Sequence, residues 1–292
     1  MDFKELCGLI EKFATAADFQ DASDRLEEKI FSLSKEEFIP LVTEIGTIPE
    51  TIDHDSTEEK LYSKVSDIVL AKCFQELGLK ATVLRERANS ADVEARSKYH
   101  EYSLVGDAKA FRLSRTAKNQ KDFKVESMDH WRGDNDYSVL VCPYFQYPKS
   151  KSQIYGQALN KNISLFSWEY FSILLKSDLK ESPTKNISVL WNQSALISLD
   201  TPISDKDFCF IGKQDKGICD FMHLSEERYA VYLSQYRKNI IARGESEIDY
   251  WTRRIEKIKQ YSREQAIEEL ITSLKLNEKI SAITKFTNSL RG

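Results

Sequence analysis

Strand-like patterns in this chain are confined to residues of about 80 to 166, and helical periodicity flanks them on both sides. That confinement limits the fold most. A short set of strands bracketed by helices can bury its faces as an α/β core in helical wrapping. Residues 92–98 and 103–111 read as two strands with a turn at 99–102. Residues 137–143, with Val139-Leu140-Val141-Cys142 at their centre, and residues 163–166 read as buried strands.

Helical spacing marks 24–33, 35–45 (with Pro40 at a start or a kink), 115–131, 152–160 and 168–175. The longest of the early helices is 56–77, with the apolar stripe Leu61, Val65, Ile68, Val69 and Phe74. Ser56 or Thr57 can cap it, Glu59 stands at capping-box spacing from Ser56, and Gly78 can stop it. Residues 201–217 read as a linker or surface loop. From His223 to the end the pattern is mostly helical, with a good start at Ser262. The expected organisation is one domain over 1–292: a helical N-terminal region 1–55, an α/β core at about 56–176, and a helical C-terminal region at about 200–292.

With 30% charged residues, ten glycines and six prolines, the chain reads as folded rather than disordered. No apolar stretch approaches a membrane span. Asp2 and Glu5 near the start do not suit a secretory signal, so a cytoplasmic setting and no membrane partner are expected. Cys7, Cys73, Cys142, Cys209 and Cys219 are odd in number and scattered, which argues against a disulfide framework and a zinc site.

The chemistry-bearing residues are Asp92 and the run Gly106-Asp107-Ala108-Lys109. Residues two apart on a strand share a face, so Asp107 and Lys109 project together. A hairpin can bring Asp92 beside them. Two neighbouring carboxylates repel and favour a cation between them, and such oxygen ligands with water suit Mg²⁺. That ion would polarise a phosphodiester and generate the attacking hydroxide, with Lys109 orienting or deprotonating water or neutralising charge. Burial pushes the pKa of Lys109 down and the aspartates push it up; spacing alone does not say which wins. Glu59 is a third candidate carboxylate, and equally a partner of the Ser56 cap. Glu94 and Glu86 are rival ligands. Asp, a gap, then Asp-x-Lys is the PD-(D/E)xK nuclease pattern, although Ser90-Ala91 replaces its usual proline and D-x-K also occurs on plain charged strand edges.

The flanking charge favours the nuclease pattern. Arg112, Arg115, Lys118, Lys121 and Lys124 recur every third residue with Asp122 the only acid among them, a local charge of +4 in a chain of net charge -4. Such a recurrence gives a helix a basic face able to follow phosphates. Asn119 and Gln120 lie within it, and such amides can bond adenine bidentately.

The run from Gly106 to Lys109 and on through Phe111-Arg112-Leu113-Ser114-Arg115-Thr116-Ala117-Lys118-Asn119-Gln120-Lys121-Asp122-Phe123-Lys124 closely resembles the HindIII family of type II restriction endonucleases. Ser56-Thr57-Glu58-Glu59-Lys60-Leu61-Tyr62, Asp67-Ile68-Val69-Leu70, Phe145-Gln146-Tyr147-Pro148 and Leu165-Phe166-Ser167-Trp168-Glu169 do too. The likeness is dense from about 40 to 175 and thin at both ends. It implies a PD-(D/E)xK restriction-endonuclease-like core, a mixed central sheet flanked by helices with extensive additional helices. It also implies a Mg²⁺-dependent homodimer that cuts double-stranded DNA at AAGCTT after the first A, and a protective DNA methyltransferase in the same cell. Asp92 and Asp107 match the metal-binding aspartates and Lys109 the catalytic lysine. Asn119, Lys121, Asp122 and Lys124 match recognition or activity-sensitive positions; Arg115, Lys118 and Gln120 join them as DNA-binding candidates. Competing readings are a nuclease of changed specificity, a DNA-binding protein that does not cut, and a helical interaction protein packed through Tyr229, Tyr232, Tyr236, Tyr250 and Trp251. A non-cutting protein need not keep Asp92, Asp107 and Lys109 together, and the interaction protein leaves all three unexplained.

Overall fold

In the computed structural model a five-stranded mixed sheet carries the molecule, in the order β1 (Lys80–Val83), β2 (Val93–Arg96), β3 (Ser103–Ala108), β4 (Tyr137–Cys142) and β5 (Ile163–Ser167). The structure describes residues 1–16, 18–85, 90–115, 120–148, 152–200 and 209–289. β1, β2 and β3 form an antiparallel meander, whereas β3, β4 and β5 run parallel. Parallel neighbours need crossovers. Between β3 and β4 lie the helices α5 (Gln120–Phe123) and α6 (Val125–Arg132), numbered after the four N-terminal helices, and between β4 and β5 lies α7 (Gln153–Lys161).

The N-terminal helices are α1 (Phe3–Ala16), α2 (Phe19–Phe31), α3 (Lys35–Glu44) and α4 (Thr57–Glu76). Local chemistry sets their ends. Asp18 caps α2, and Ser34 and Glu37 form a reciprocal capping box on α3, which keeps Pro40 in its interior. α4 ends where Gly78 takes φ +98°, a conformation that side chains resist. These helices, with α8 (Trp168–Lys176), cover the sheet face that presents Leu104, Val139, Val141 and Phe166. α6 and α7 cover the opposite face, with Val105, Leu140, Ile163 and Leu165.

Gly106 explains how closely α4 seats on β3. A Cβ there would lie 3.0 Å from Leu70 Cδ2 and 3.1 Å from Phe74 Cε2. Leu70 and Phe74 are fully buried, each worth about 1.5–3 kcal/mol of transfer free energy. The helix thus backs the strand that carries Asp107.

Three expectations need revision. A strand at 80–83 had no sequence reading of its own; Lys80 and Thr82 hide its pattern. The helix expected over 115–131 is broken, because Lys124 adopts φ +50° between α5 and α6. The expected loop at 201–217 is in part a helix: α10 (Phe210–Met222), which follows α9 (Gln193–Asp200), buries Phe210, Gln214, Ile218 and Cys219. Its interior glycines, Gly212 and Gly217, disguise that four-residue stripe; residues 201–208 lie outside those described.

The chain divides into two compact units, Met1–Ile241 and Ala242–Gly292. α11 (Glu226–Lys259) begins in the first. There Asp215 accepts hydrogen bonds from Tyr144, Tyr170 and Tyr229, and Tyr236 donates to Ser172 Oγ at 3.0 Å. In the second unit, Ser262 and Gln265 form the capping box of α12 (Arg263–Ser273), Arg254 pairs with Glu269, and α13 (Leu276–Ser289) follows. No helix among the described residues is long and apolar enough to cross a membrane.

Glu169, in the first turn of α8, is a buried carboxyl that accepts the Tyr144 N–H at 2.8 Å. Burial raises its pKa from 4.5 to about 7. The folded chain therefore holds a proton that the unfolded chain has released. Stability falls as pH climbs from about 4.5 to 7, by up to about 3 kcal/mol. Glu169→Gln keeps the acceptor and removes the titration. Thermal melts should show variant and wild type close at pH 5 and the variant more stable at pH 8; an equal gap at both pH values would refute the burial argument.

Candidate active site

The site grows from the β2–β3 hairpin. Val93 pairs with Gly106, so one step further Asp92 faces Asp107. Asp92 N–H donates to Gly106 O at 3.2 Å and its carbonyl accepts from Leu84 N at 2.8 Å, which fixes the residue from both sides. Asp107 is 1% exposed in β3. Lys109 follows the strand, its N–H donating to Val141 O at 2.7 Å and its carbonyl accepting from Trp168 Nε1 at 3.0 Å. The Lys109 ammonium pairs with Asp107 Oδ2, a buried oxygen with no hydrogen-bond partner among the described residues. Asp92, Asp107 and Lys109 are thus brought together as their spacing predicts.

Electrostatics bind the group further. Asp92 is pushed up to about 7, first by burial, then by the facing charge of Asp107, against the pull of Lys109 and Lys64. Burial acts to lower the pKa of Lys109, but Asp107 and Asp92 together outweigh it and the ammonium is held above its ordinary value. The metal-free protein therefore keeps Lys109 charged. The same cluster includes a residue that the sequence reading passed over. Asp67 on α4 is buried, and its carboxyl is raised well above the ordinary range by burial and then by the charge of Asp92, with Lys64 opposing. Its one sequence signal is an acid set among Val65, Ile68 and Val69, in a stretch of α4 from Val65 to Phe74 that is buried throughout.

Glu59 goes elsewhere. It accepts from Arg112 Nη2 at 2.7 Å and from Asp55 N–H at 2.8 Å, with His54 Nδ1 at 3.5 Å. The main charges shifting Asp92 and Lys109 do not include it. Only half of its expected capping box forms: Ser56 Oγ accepts from Glu59 N–H at 3.1 Å, while the carboxylate reaches Asp55 instead of Ser56. Glu94 lies on the Asp92 face of β2, opposite Val105. Glu86 lies outside the described residues.

The basic run is only partly a free face. Arg112 is buried, and Arg115 pairs with Asp122 while lying 5.9 Å from the Phe111 ring centre. Arg112 and Arg115 are thus spent internally. Lys121 and Lys124 are exposed, with Lys124 Nζ 5.6 Å from the Trp131 ring. Gln120 opens α5; Lys118 and Asn119 lie outside the described residues.

Two facing carboxylates, one with a buried oxygen paired to an ammonium, suit a hard divalent cation. Among the described residues no three ligand-type side chains already surround one point. Asp92 and Asp107 would hold the ion, with water and substrate oxygens completing its shell.

The HindIII restriction endonuclease family model matches residues 3–287. The type II restriction enzyme HindIII of Haemophilus influenzae is 43% identical over 288 residues, covering 99% of this chain and 96% of that protein. The likeness therefore extends well beyond 40–175, through both ends that the sequence reading took as divergent. A strand hairpin presenting two aspartates and a lysine, and a match running through nearly the whole length, place the chain in the HindIII restriction endonuclease family.

Proposed function

We propose that this restriction endonuclease is a Mg²⁺-dependent homodimer that cuts both strands of DNA at AAGCTT, in the cytoplasm of a cell whose methyltransferase protects that site. The observation that carries the reading is the Asp92–Asp107–Lys109 cluster on the β2–β3 hairpin. A bound Mg²⁺ supplies positive charge at the scissile phosphate and acidifies water. Asp92 and Asp107 hold the ion, and repulsion between them favours its entry. Lys109, charged before substrate arrives, stabilises the negative charge that builds on the phosphate as water attacks phosphorus and the P–O bond breaks. Asp67 meets Asp92 with a buried carboxyl held toward its neutral form. Lys118, Asn119, Gln120, Lys121 and Lys124 contact DNA, with Arg115 and Asp122 bracing that segment. A two-fold dimer offers the same reader to each half of a palindrome.

A digest of long sequenced DNA, with Mg²⁺ or with EDTA, tests this reading. The expected outcome is discrete fragments ending at AAGCTT with Mg²⁺ and none with EDTA. Discrete ends at another sequence would keep the nuclease and overturn the specificity; binding without cutting would favour a non-cleaving protein.

A further inference from the structure

The stretch leaving Lys109 is held along its length. Phe111 N–H donates to Gly46 O at 3.0 Å, and Phe111 O accepts from Ile48 N–H at 3.3 Å. Arg112 donates from one end of its guanidinium to Pro49 O at 2.8 Å and from the other to Glu59 Oε1 at 2.7 Å. Glu50, 5% exposed, accepts both the N–H (3.1 Å) and the hydroxyl (3.0 Å) of Ser114. All these partners lie within residues 46–59, the loop before α4 and its first turn. A Cβ on Gly46 would lie 2.6 Å from Trp168 Cδ1, and Trp168 is the residue that holds the Lys109 carbonyl. Loop, tryptophan and lysine backbone thus form one packed unit.

Stability alone is a poor reason for this arrangement. A buried arginine–glutamate pair costs desolvation that its attraction often only just offsets. Here Arg112 Nε is also buried with no partner among the described residues. What the planar guanidinium does well is join two points in fixed geometry, which a lysine cannot. The points joined are the loop and α4, and α4 backs β3 at Gly106.

We propose that Arg112, Glu59, Glu50 and Ser114 are positioning residues that form a latch. Through it, the seating of segment 112–124 on the correct DNA sequence sets the placement of Lys109 and Asp107. The inference rests on the reading above that this segment contacts DNA. A wrong sequence leaves the segment unseated and the lysine displaced, and a displacement of about 1 Å can cost on the order of 10²-fold in rate.

Arg112→Lys keeps the charge and loses the span. Single-turnover cleavage is measured with saturating protein and Mg²⁺, on a duplex bearing the site found in the digest and on duplexes with one base pair changed. Affinity for the same duplexes is measured in Ca²⁺. The expected result is a fall of at least about tenfold at the cognate site with little change at altered sites, so that discrimination shrinks in step. Affinity for the cognate duplex stays near wild type. Ser114→Ala, which removes one hydroxyl donor and no charge, moves discrimination the same way by less, and serves if Arg112→Lys does not fold. Equal proportional losses on all duplexes would reduce the latch to a structural brace and overturn the proposal. Loss of affinity alone would make Arg112 a DNA contact and also overturn it, as would unchanged discrimination. Absence of discrete cutting by the wild type would overturn the functional reading, and the latch with it.

Discussion

Asp107→Asn should lower cleavage by about 10³-fold or more while sequence-specific binding stays near wild type. The substitution keeps the shape of a side chain that is 1% exposed, so the packing around it survives. It removes one of the two charges that make this point of the hairpin attractive to a divalent ion. It also releases Lys109 from its ion pair, leaving Asp92 as the nearer charge opposing the ammonium. Binding without metal should therefore hold or tighten, which separates a catalytic lesion from a folding defect. The measurements are single-turnover rates in Mg²⁺ and duplex affinity in EDTA. Cleavage within tenfold of wild type would remove Asp107 from the role of metal ligand.

The parts of this site written in local spacing were legible in the sequence; the parts made by distant chain segments were not. Asp107 and Lys109 are two apart on a strand, and Asp92 follows from a hairpin whose turn is visible at 99–102. Strand pleat and register do the rest. Asp67 was hidden because the stretch Val65 to Phe74 is buried throughout and has no polar side to mark. Its placement behind Asp92 depends on how α4 packs, and Gly106, the residue that permits that packing, looks in sequence like part of the motif. Glu59 was legible only in part, for the converse reason. Its spacing from Ser56 was visible and half of that cap forms, but its carboxylate pairs with Arg112, 53 residues away. That pair also withdraws Arg112 from a basic run whose three-residue period suggested a continuous helical face. The period could not reveal the left-handed turn at Lys124 that separates α5 from α6. The direction of the Lys109 shift was undecidable from spacing, since it depends on burial and two charges together, and the structure decides it upward.

Lys109→Ala carries the other large expected effect. The lysine backbone is pinned by Val141 O and Trp168 Nε1, neither of which involves its side chain, so truncation leaves the chain path in place. What is lost is the half-buried ammonium that the proposed reading sets against the reacting phosphate. Its removal should slow single-turnover cleavage by roughly 10²–10⁴-fold, the range for a positioned proton-transfer or charge-stabilising group. Duplex affinity should change little, because the free protein already spends that charge on Asp107. A second readout separates this loss from loss of the metal. With the ammonium gone, the repulsion between Asp92 and Asp107 loses the larger of its internal counterweights and keeps only Lys64, so the protein should bind a divalent ion at least as tightly as wild type in a direct titration. Weaker metal binding together with slow cutting would mean that Lys109 organises the aspartates rather than serving the phosphate. An altered duplex affinity with an unchanged rate on bound DNA would move it from the chemistry to the binding surface.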